Sequence, residues 1–194
     1  FSVSLHAILH SPPPAAGTAL VYGCGTLGLL AIAILRLLYP EVRVFAVARY
    51  PHQARLATLF GAEAVLPHRP TADIIAGVAA LTGTDVLRPW HGQAMLNRGV
   101  DVVYDTVSSA ETLEVGVRVA APRARIVVAG VEIPRRFEWT PLYFKEISVV
   151  GSNAFAIEQI GERRQHAMEW YLEFVASGRV DVTPIITHRY ALPE

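Results

Sequence analysis

Of cysteine and of lysine this chain has one each, Cys24 and Lys145. A single cysteine excludes a disulfide within the chain and any cysteine-rich metal site. A reducing compartment, the cytoplasm, is therefore the expectation. A single lysine leaves Schiff-base or lysine-nucleophile chemistry one candidate, in a plain Phe-Lys-Glu context. Neither sign of charge is in excess, with 17 Lys+Arg against 17 Asp+Glu and a formal net charge of +0. Nucleic acid and anionic membrane surfaces are bound through a basic excess, so neither is expected as a partner. There is no signal-peptide pattern, internal repeat or low-complexity tract. The chain opens on Phe1 rather than Met and stops at Pro193-Glu194 in mid-pattern, from which a piece of a longer protein is expected.

A long uncharged run is present, from Ser11 to Leu35. A membrane helix needs about 20 continuous apolar residues. This run begins with three prolines and carries Gly17, Gly23, Gly25 and Gly28, so a strand, a glycine turn and a buried helix fit it better. With 52% hydrophobic and 18% charged residues over 194 positions, the chain can bury a substantial core as one domain, or one and a fragment.

Strand-like and helix-like segments alternate. Strands are expected at 19–23, 42–47, 64–66, 100–105, 125–130 and 147–152. Helices are expected at 26–38, from Pro51 to a stop at Gly61, and from Thr71 as N-cap to Gly83. Ser108-x-x-Glu111 reads as a capping box opening a helix over 109–120. The run "VDVVYD" is apolar on both faces, as a strand covered on both sides would be. Six strands with intervening helices predict an α/β fold with a doubly wound, parallel six-stranded sheet. Residues 84–99 read as an insertion. From Ala154 onward, "RRQHAMEWYLEFVASG" reads as one amphipathic helix with Met168, Tyr171, Leu172 and Val175 on its apolar face, followed by a strand-like "PIITHRY". The expected organisation is a linker and helix at 1–16, the main domain at 17–153 and a C-terminal helix and return at 154–194.

Gly23-x-Gly25-x-x-Gly28 falls directly after the first strand and opens the first long helix. That context turns a weak motif into a dinucleotide-binding turn. Gly23 permits the tight turn, Gly25 lets a pyrophosphate approach the backbone, and Gly28 lets the helix pack close to the sheet. The amides of Thr26 and Leu27 then face the phosphates at the helix N-terminus. Cys24 has two readings, a thiol activated by the helix start or a small filler between glycines, and the second is favoured.

Other constellations carry less. His6 and His10 stand one helical turn apart, without an obvious third metal ligand. His91, His166 and His188 have no acid or nucleophile at a recognisable spacing. Asp101 and Asp105 share a face of their strand, more consistent with solvation and loop hydrogen bonding than with an acid/base pair. Ser108 and Ser109 lack the elbow of a hydrolase nucleophile.

The stretches "GTALVYGCGTLGLLAIA", "RLATLFGAEAVL", "VDVVYDTVSSAETLEVGVRVAAPRARIVVAGV" and "ISVVGSNAF" together resemble the cofactor domain of medium-chain dehydrogenase/reductases, the zinc-type alcohol, polyol and threonine dehydrogenases. The resemblance implies a Rossmann fold binding a nicotinamide dinucleotide. It places Val107 and Ser108 beside the adenosine half, Gly130 and Val131 along the nicotinamide, and Ser152 and Asn153 at the carboxamide. Phe1 to Ser4 would lie under the nicotinamide ring. It implies that zinc and the proton relay belong to a catalytic domain preceding residue 1, so this chain is expected to be inactive alone. The substrate would be a small alcohol or carbonyl compound, and strand 147–152 would join a homodimer or tetramer.

Departures from the family pattern carry information. Ser108 and Ala124 replace frequent glycines. Ala48 stands where NAD-dependent members carry an acid that holds the ribose hydroxyls and repels a 2′-phosphate. Arg49 follows it, with His52 and Arg55 near, and a guanidinium beside a small residue suits a phosphate. NADP is therefore expected, with NAD as the alternative; a merely solvated Arg49 is the competing reading. Two rival functions stay open, an S-adenosylmethionine-dependent methyltransferase-like domain and a non-enzymatic nucleotide-sensing or assembly module.

Overall fold

The computed structural model describes residues 1–90, 92–132 and 136–191. Helix α1 (Ser2–His10) leads into β1 (Thr18–Tyr22), α2 (Thr26–Leu38), β2 (Arg43–Ala48), α3 (Pro51–Leu59), β3 (Ala64–Pro67) and α4 (Thr71–Thr82). A small hairpin, β4 (Val86–Leu87) and β5 (Met95–Leu96), precedes β6 (Val100–Asp105), α5 (Ala110–Val119), β7 (Ala120–Val128), α6 (Thr140–Lys145) and β8 (Ser148–Gly151). The chain continues through a second hairpin, β9 (Ile157–Ile160) and β10 (Arg163–His166), into α7 (Ala167–Ala176).

Six strands form one parallel sheet in the order β3-β2-β1-β6-β7-β8, as the alternating pattern predicted. Strand alternation divides the core into two layers. Val21, Val44 and Ala46 pack with Leu5, Ile32, Ile34 and Phe174 on one face of the sheet. Their neighbours Leu20, Tyr22, Phe45 and Val47 pack with Ile74, Val78, Leu113 and Val117 on the other. β1 and β6 lie side by side at the centre, where chain progression along the sheet reverses, and a crevice opens at their C-terminal ends.

Several local expectations require correction. Thr71 is the first residue of α4, behind Pro70 as cap. The cap of α5 is Ser109, whose hydroxyl accepts from Thr112 N, while Ser108 turns to a φ of 63° in the left-handed region. The cap thus lies one residue later than the Ser108-x-x-Glu111 spacing indicates. The insertion at 84–99 carries a short hairpin, in which Val86 and Leu87 pair antiparallel with Leu96 and Met95.

The C-terminal segment departs most. Gly161, at a φ of 61°, turns a β9–β10 hairpin, so Arg163–His166 are extended rather than helical. The helix begins only where His166 caps it, in a reciprocal box with Glu169. Its buried face is Ala167, Trp170 and Phe174, whereas Met168, Leu172 and Val175 are exposed. Helical spacing alone cannot choose between two apolar stripes; packing on α1 and β10 makes the choice. The expected strand in "PIITHRY" is a single 3-10 turn, Thr183–Ile185. No helix among the described residues is long and apolar enough to cross a membrane.

A buried cation sets the position of the insertion. Arg118 is only 2% exposed. It pairs with Glu114 at 2.6 Å and with Glu138, and donates to the Gln93 carbonyl at 2.8 Å. One side chain therefore joins α5, the insertion hairpin and the segment after β7. Lys145 lies beneath it, with its Nζ donating to the Arg118 and Ala120 carbonyls.

Candidate cofactor site

At the end of β1 the chain turns through Gly23, whose φ of 94° is open to glycine and strained for other residues. Gly23 N donates to Val47 O at 3.1 Å, and Thr106 Oγ1 lies 2.8 Å from the Gly23 carbonyl. The turn is thus pinned to both neighbouring strands. α2 starts at Gly25 without a side-chain cap, leaving its first amides to face a cavity of about 540 Å³. A Cβ built on Gly25 meets nothing within 4 Å, whereas one on Gly28 would meet the Gly23 carbonyl. The two glycines therefore do different work: Gly25 keeps the cavity floor clear, and Gly28 permits close packing.

Gly23, Gly25, Thr26, Leu27, Arg49 and Val107 come together on the cavity wall. Gly28 lies just behind it. Ala48 is buried at the end of β2, and Arg49 follows it, exposed, with its guanidinium carbon 5.5 Å from the centre of the Tyr50 ring. His52 and Arg55 do not line the cavity. Ser108 is buried rather than on the wall. Gly130 and Val131 follow β7, Ser152 and Asn153 follow β8, and none of the four lines this cavity. Gly130 is held against Val107, so close that a Cβ there would be 2.5 Å from the Val107 carbonyl. Val131 is fully exposed, and the Ser152 hydroxyl is buried without a hydrogen-bond partner.

Asp105 organises the crevice from beneath. Its carboxylate accepts from Val107 N at 3.0 Å, Ser108 N at 2.7 Å and Thr112 Oγ1 at 2.7 Å. Its backbone carbonyl accepts from Ala129 N and Gly130 N. Burial raises its pKa, against the lowering effect of those donors. This is the loop hydrogen bonding favoured from the sequence. Asp101 has a similar part at the other end of β6, accepting from Thr18 N and Oγ1.

The activated-thiol alternative for Cys24 is overturned. The residue is 1% exposed and burial pushes its thiol up to about 12; it is a filler under the turn. His6, His10, His166 and His188 make structural contacts. His6 Nδ1 lies 2.6 Å from Glu158 Oε1 and its ring stacks on His10. His166 caps α7, and His188 meets Thr187. His91 lies outside the described residues. Among the described residues no three His, Cys, Asp or Glu side chains come together as a metal site. One group escaped the sequence reading altogether: Tyr22, His68 and Glu111, from three separate elements, converge on the cavity wall. No sequence spacing links them.

A parallel sheet with its reversal at the centre, a glycine turn there and an uncapped helix facing a crevice make up the doubly wound α/β architecture in which dinucleotides bind at the point of reversal. The chain belongs to the zinc-binding dehydrogenase family, whose profile matches residues 26–177. The resemblance to medium-chain dehydrogenase/reductases is thereby confirmed, and the methyltransferase alternative gains no support from it.

Curated relatives include L-threonine 3-dehydrogenase of Bacillus velezensis, 25% identical over 98% of this chain and 49% of that protein. An alcohol dehydrogenase of Cupriavidus necator is 26% identical over 91% of this chain and 43% of its own length. The chain spans about half the length of the curated relatives it matches. Among solved structures, an Escherichia coli CFT073 alcohol dehydrogenase complexed with NADH aligns at TM-score 0.72 and 20% identity, covering 93% of this chain and 46% of that one. A Sinorhizobium meliloti 1021 protein bound to NADP aligns at TM-score 0.67 and 26% identity, covering 93% and 47%.

Proposed function

We propose that this chain is the nicotinamide-dinucleotide-binding part of a zinc-type oxidoreductase that, as a whole protein, interconverts an alcohol and a carbonyl compound. The observation that carries the proposal is the open floor at Gly25 beneath uncapped helix amides, a cradle that a Cβ would fill. Bound nicotinamide supplies hydride chemistry at its ring. The residues of this chain bind and orient. Thr26 and Leu27 present amides to the pyrophosphate, and Val107 borders the adenosine half, with Ser108 and Ala48 buried behind the wall. Gly130, Val131, Ser152 and Asn153 shape the nicotinamide end, where the unpartnered Ser152 hydroxyl has capacity for a polar group. Zinc would be held by residues outside this chain.

The finer reading is NADP(H) over NAD(H), supported by Arg49 on the cavity wall beside the buried Ala48. β8 is the last strand of the sheet and leaves Val149 half exposed, which supports pairing with a second copy as a homodimer or within a tetramer. The cysteine usage supports a cytoplasmic location.

Calorimetric titration with NADPH, NADH and S-adenosylmethionine tests the function. Binding of the dinucleotides alone is expected, with NADPH the tighter. Saturable binding of S-adenosylmethionine without dinucleotide binding would sink the proposal. A monomer by light scattering at high concentration would remove the pairing of β8.

A further inference from the structure

The polar group that the sequence did not reveal has a chemical use. Tyr22 closes β1, His68 follows β3, and Glu111 stands in the first turn of α5. Tyr22 Oη is 3.2 Å from His68 Nδ1, and His68 Nε2 is 3.6 Å from Glu111 Oε1. Burial raises the Tyr22 pKa far above the ordinary range, so its hydroxyl keeps its hydrogen and shares a hydrogen bond with Nδ1. In the tautomer that accepts from Tyr22 the ring hydrogen is on Nε2, the nitrogen that faces Glu111. That separation is longer than a hydrogen bond, so the carboxylate keeps acceptor capacity for a ligand.

Position decides which part of a ligand it meets. A dinucleotide crosses the crevice with its halves on opposite sides of the central turn. The ends of β7 and β8 lie on one side, and those of β2 and β3 on the other. His68 is tied to the second side, its amide donating to the Ala48 carbonyl at 2.8 Å. Beyond Arg49 and the ribose, the purine base is the remaining part of the ligand on that side.

We propose that Glu111, which stands beside His68 and Tyr22 on the cavity wall, selects the purine base of the dinucleotide by accepting the 6-amino hydrogens of adenine. The inference rests on the dinucleotide reading above. An ionised carboxylate only accepts hydrogen bonds. A 6-keto base in the same place would set oxygen against oxygen, and the selectivity arises as much from that repulsion as from the adenine contact. His68 is a positioning residue, since it touches Glu111 rather than the base.

The test compares NADPH with its hypoxanthine counterpart, in which a keto oxygen replaces the 6-amino group, by calorimetry at fixed salt. The unmutated chain is expected to bind the adenine form on the order of tenfold more tightly, for one charged contact half open to solvent. Glu111→Gln, whose amide can donate as well as accept, should bring the ratio within about twofold. Glu111→Ala should do the same, and His68→Ala should narrow the ratio partly at unchanged Tm. Equal binding of both forms by the unmutated chain would overturn the base selection and leave the cofactor reading standing. A full ratio retained in both Glu111 variants would remove Glu111 from the role. Binding of neither form would bring down both readings together.

Discussion

A Cβ placed on Gly28 would lie 1.8 Å from the carbonyl oxygen of Gly23. Helix α2 and the turn that precedes it are therefore in backbone contact, and no side chain fits between them. Gly25, two residues past Gly23, has no such neighbour and a φ of −77° that any residue adopts.

Gly28→Ala and Gly25→Ala should consequently fail in different ways. Gly28→Ala forces backbone apart and is expected to destabilise the chain by about 3 kcal/mol, the upper range for overpacking. Gly25→Ala is expected to leave Tm within a few degrees while weakening dinucleotide binding by about tenfold or more. Thermal denaturation with calorimetry separates the two. Equal loss of stability in both variants would refute this division of labour.

Arg49→Ala addresses cofactor choice. The guanidinium is exposed on the cavity wall, so a contact to a 2′-phosphate is partly screened and a preference of about tenfold for NADPH is expected. The variant should lose that preference while NADH affinity barely changes. Parallel losses for both cofactors would show that Arg49 does not meet a 2′-phosphate.

Lys145 predicts a pH effect on stability. Burial, with Arg118 nearby, lowers its pKa from 10.5 to about 8. Below pH 8 both folded and unfolded chains hold the proton, and burying the charge opposes folding. Between about pH 8 and 10.5 the unfolded chain binds the proton that the folded chain has released, so this group makes stability rise with pH. From pH 7.5 to 9.5 the unmutated chain should gain about 1–2 kcal/mol relative to Lys145→Met in chemical denaturation. A difference independent of pH would contradict the lowered pKa.

Cys24 should be inert in the folded chain. With 1% exposure and its thiol pushed up to about 12, it is expected to react with a disulfide reagent at pH 8 only after denaturant is added. Stoichiometric modification of the native chain within minutes would contradict this.

The sequence by itself determined the α/β alternation, the six parallel strands and the glycine turn. Each of these is written in a local pattern: apolar runs such as "VDVVYD", helix stops such as Gly61 and Gly83, and a glycine spacing set between a strand and a helix. The buried face of the C-terminal helix is not legible in its spacing, because Met168, Leu172 and Val175 make as regular a helical stripe as Trp170 and Phe174, and only the neighbouring α1 shows which stripe is buried. Tertiary structure alone decided the second layer of the site. Tyr22, His68 and Glu111 meet because β3, β1 and α5 converge at one end of the sheet, and Asp105 ties two loops because β6 lies between β1 and β7. Arg118 and Lys145 are buried for the same reason: apart from Glu114 on its own helix, the partners of Arg118 and those of Lys145 come from segments about 20 to 27 residues distant. Spacing along the chain records contacts within one element, whereas those between elements depend on how the sheet is wound.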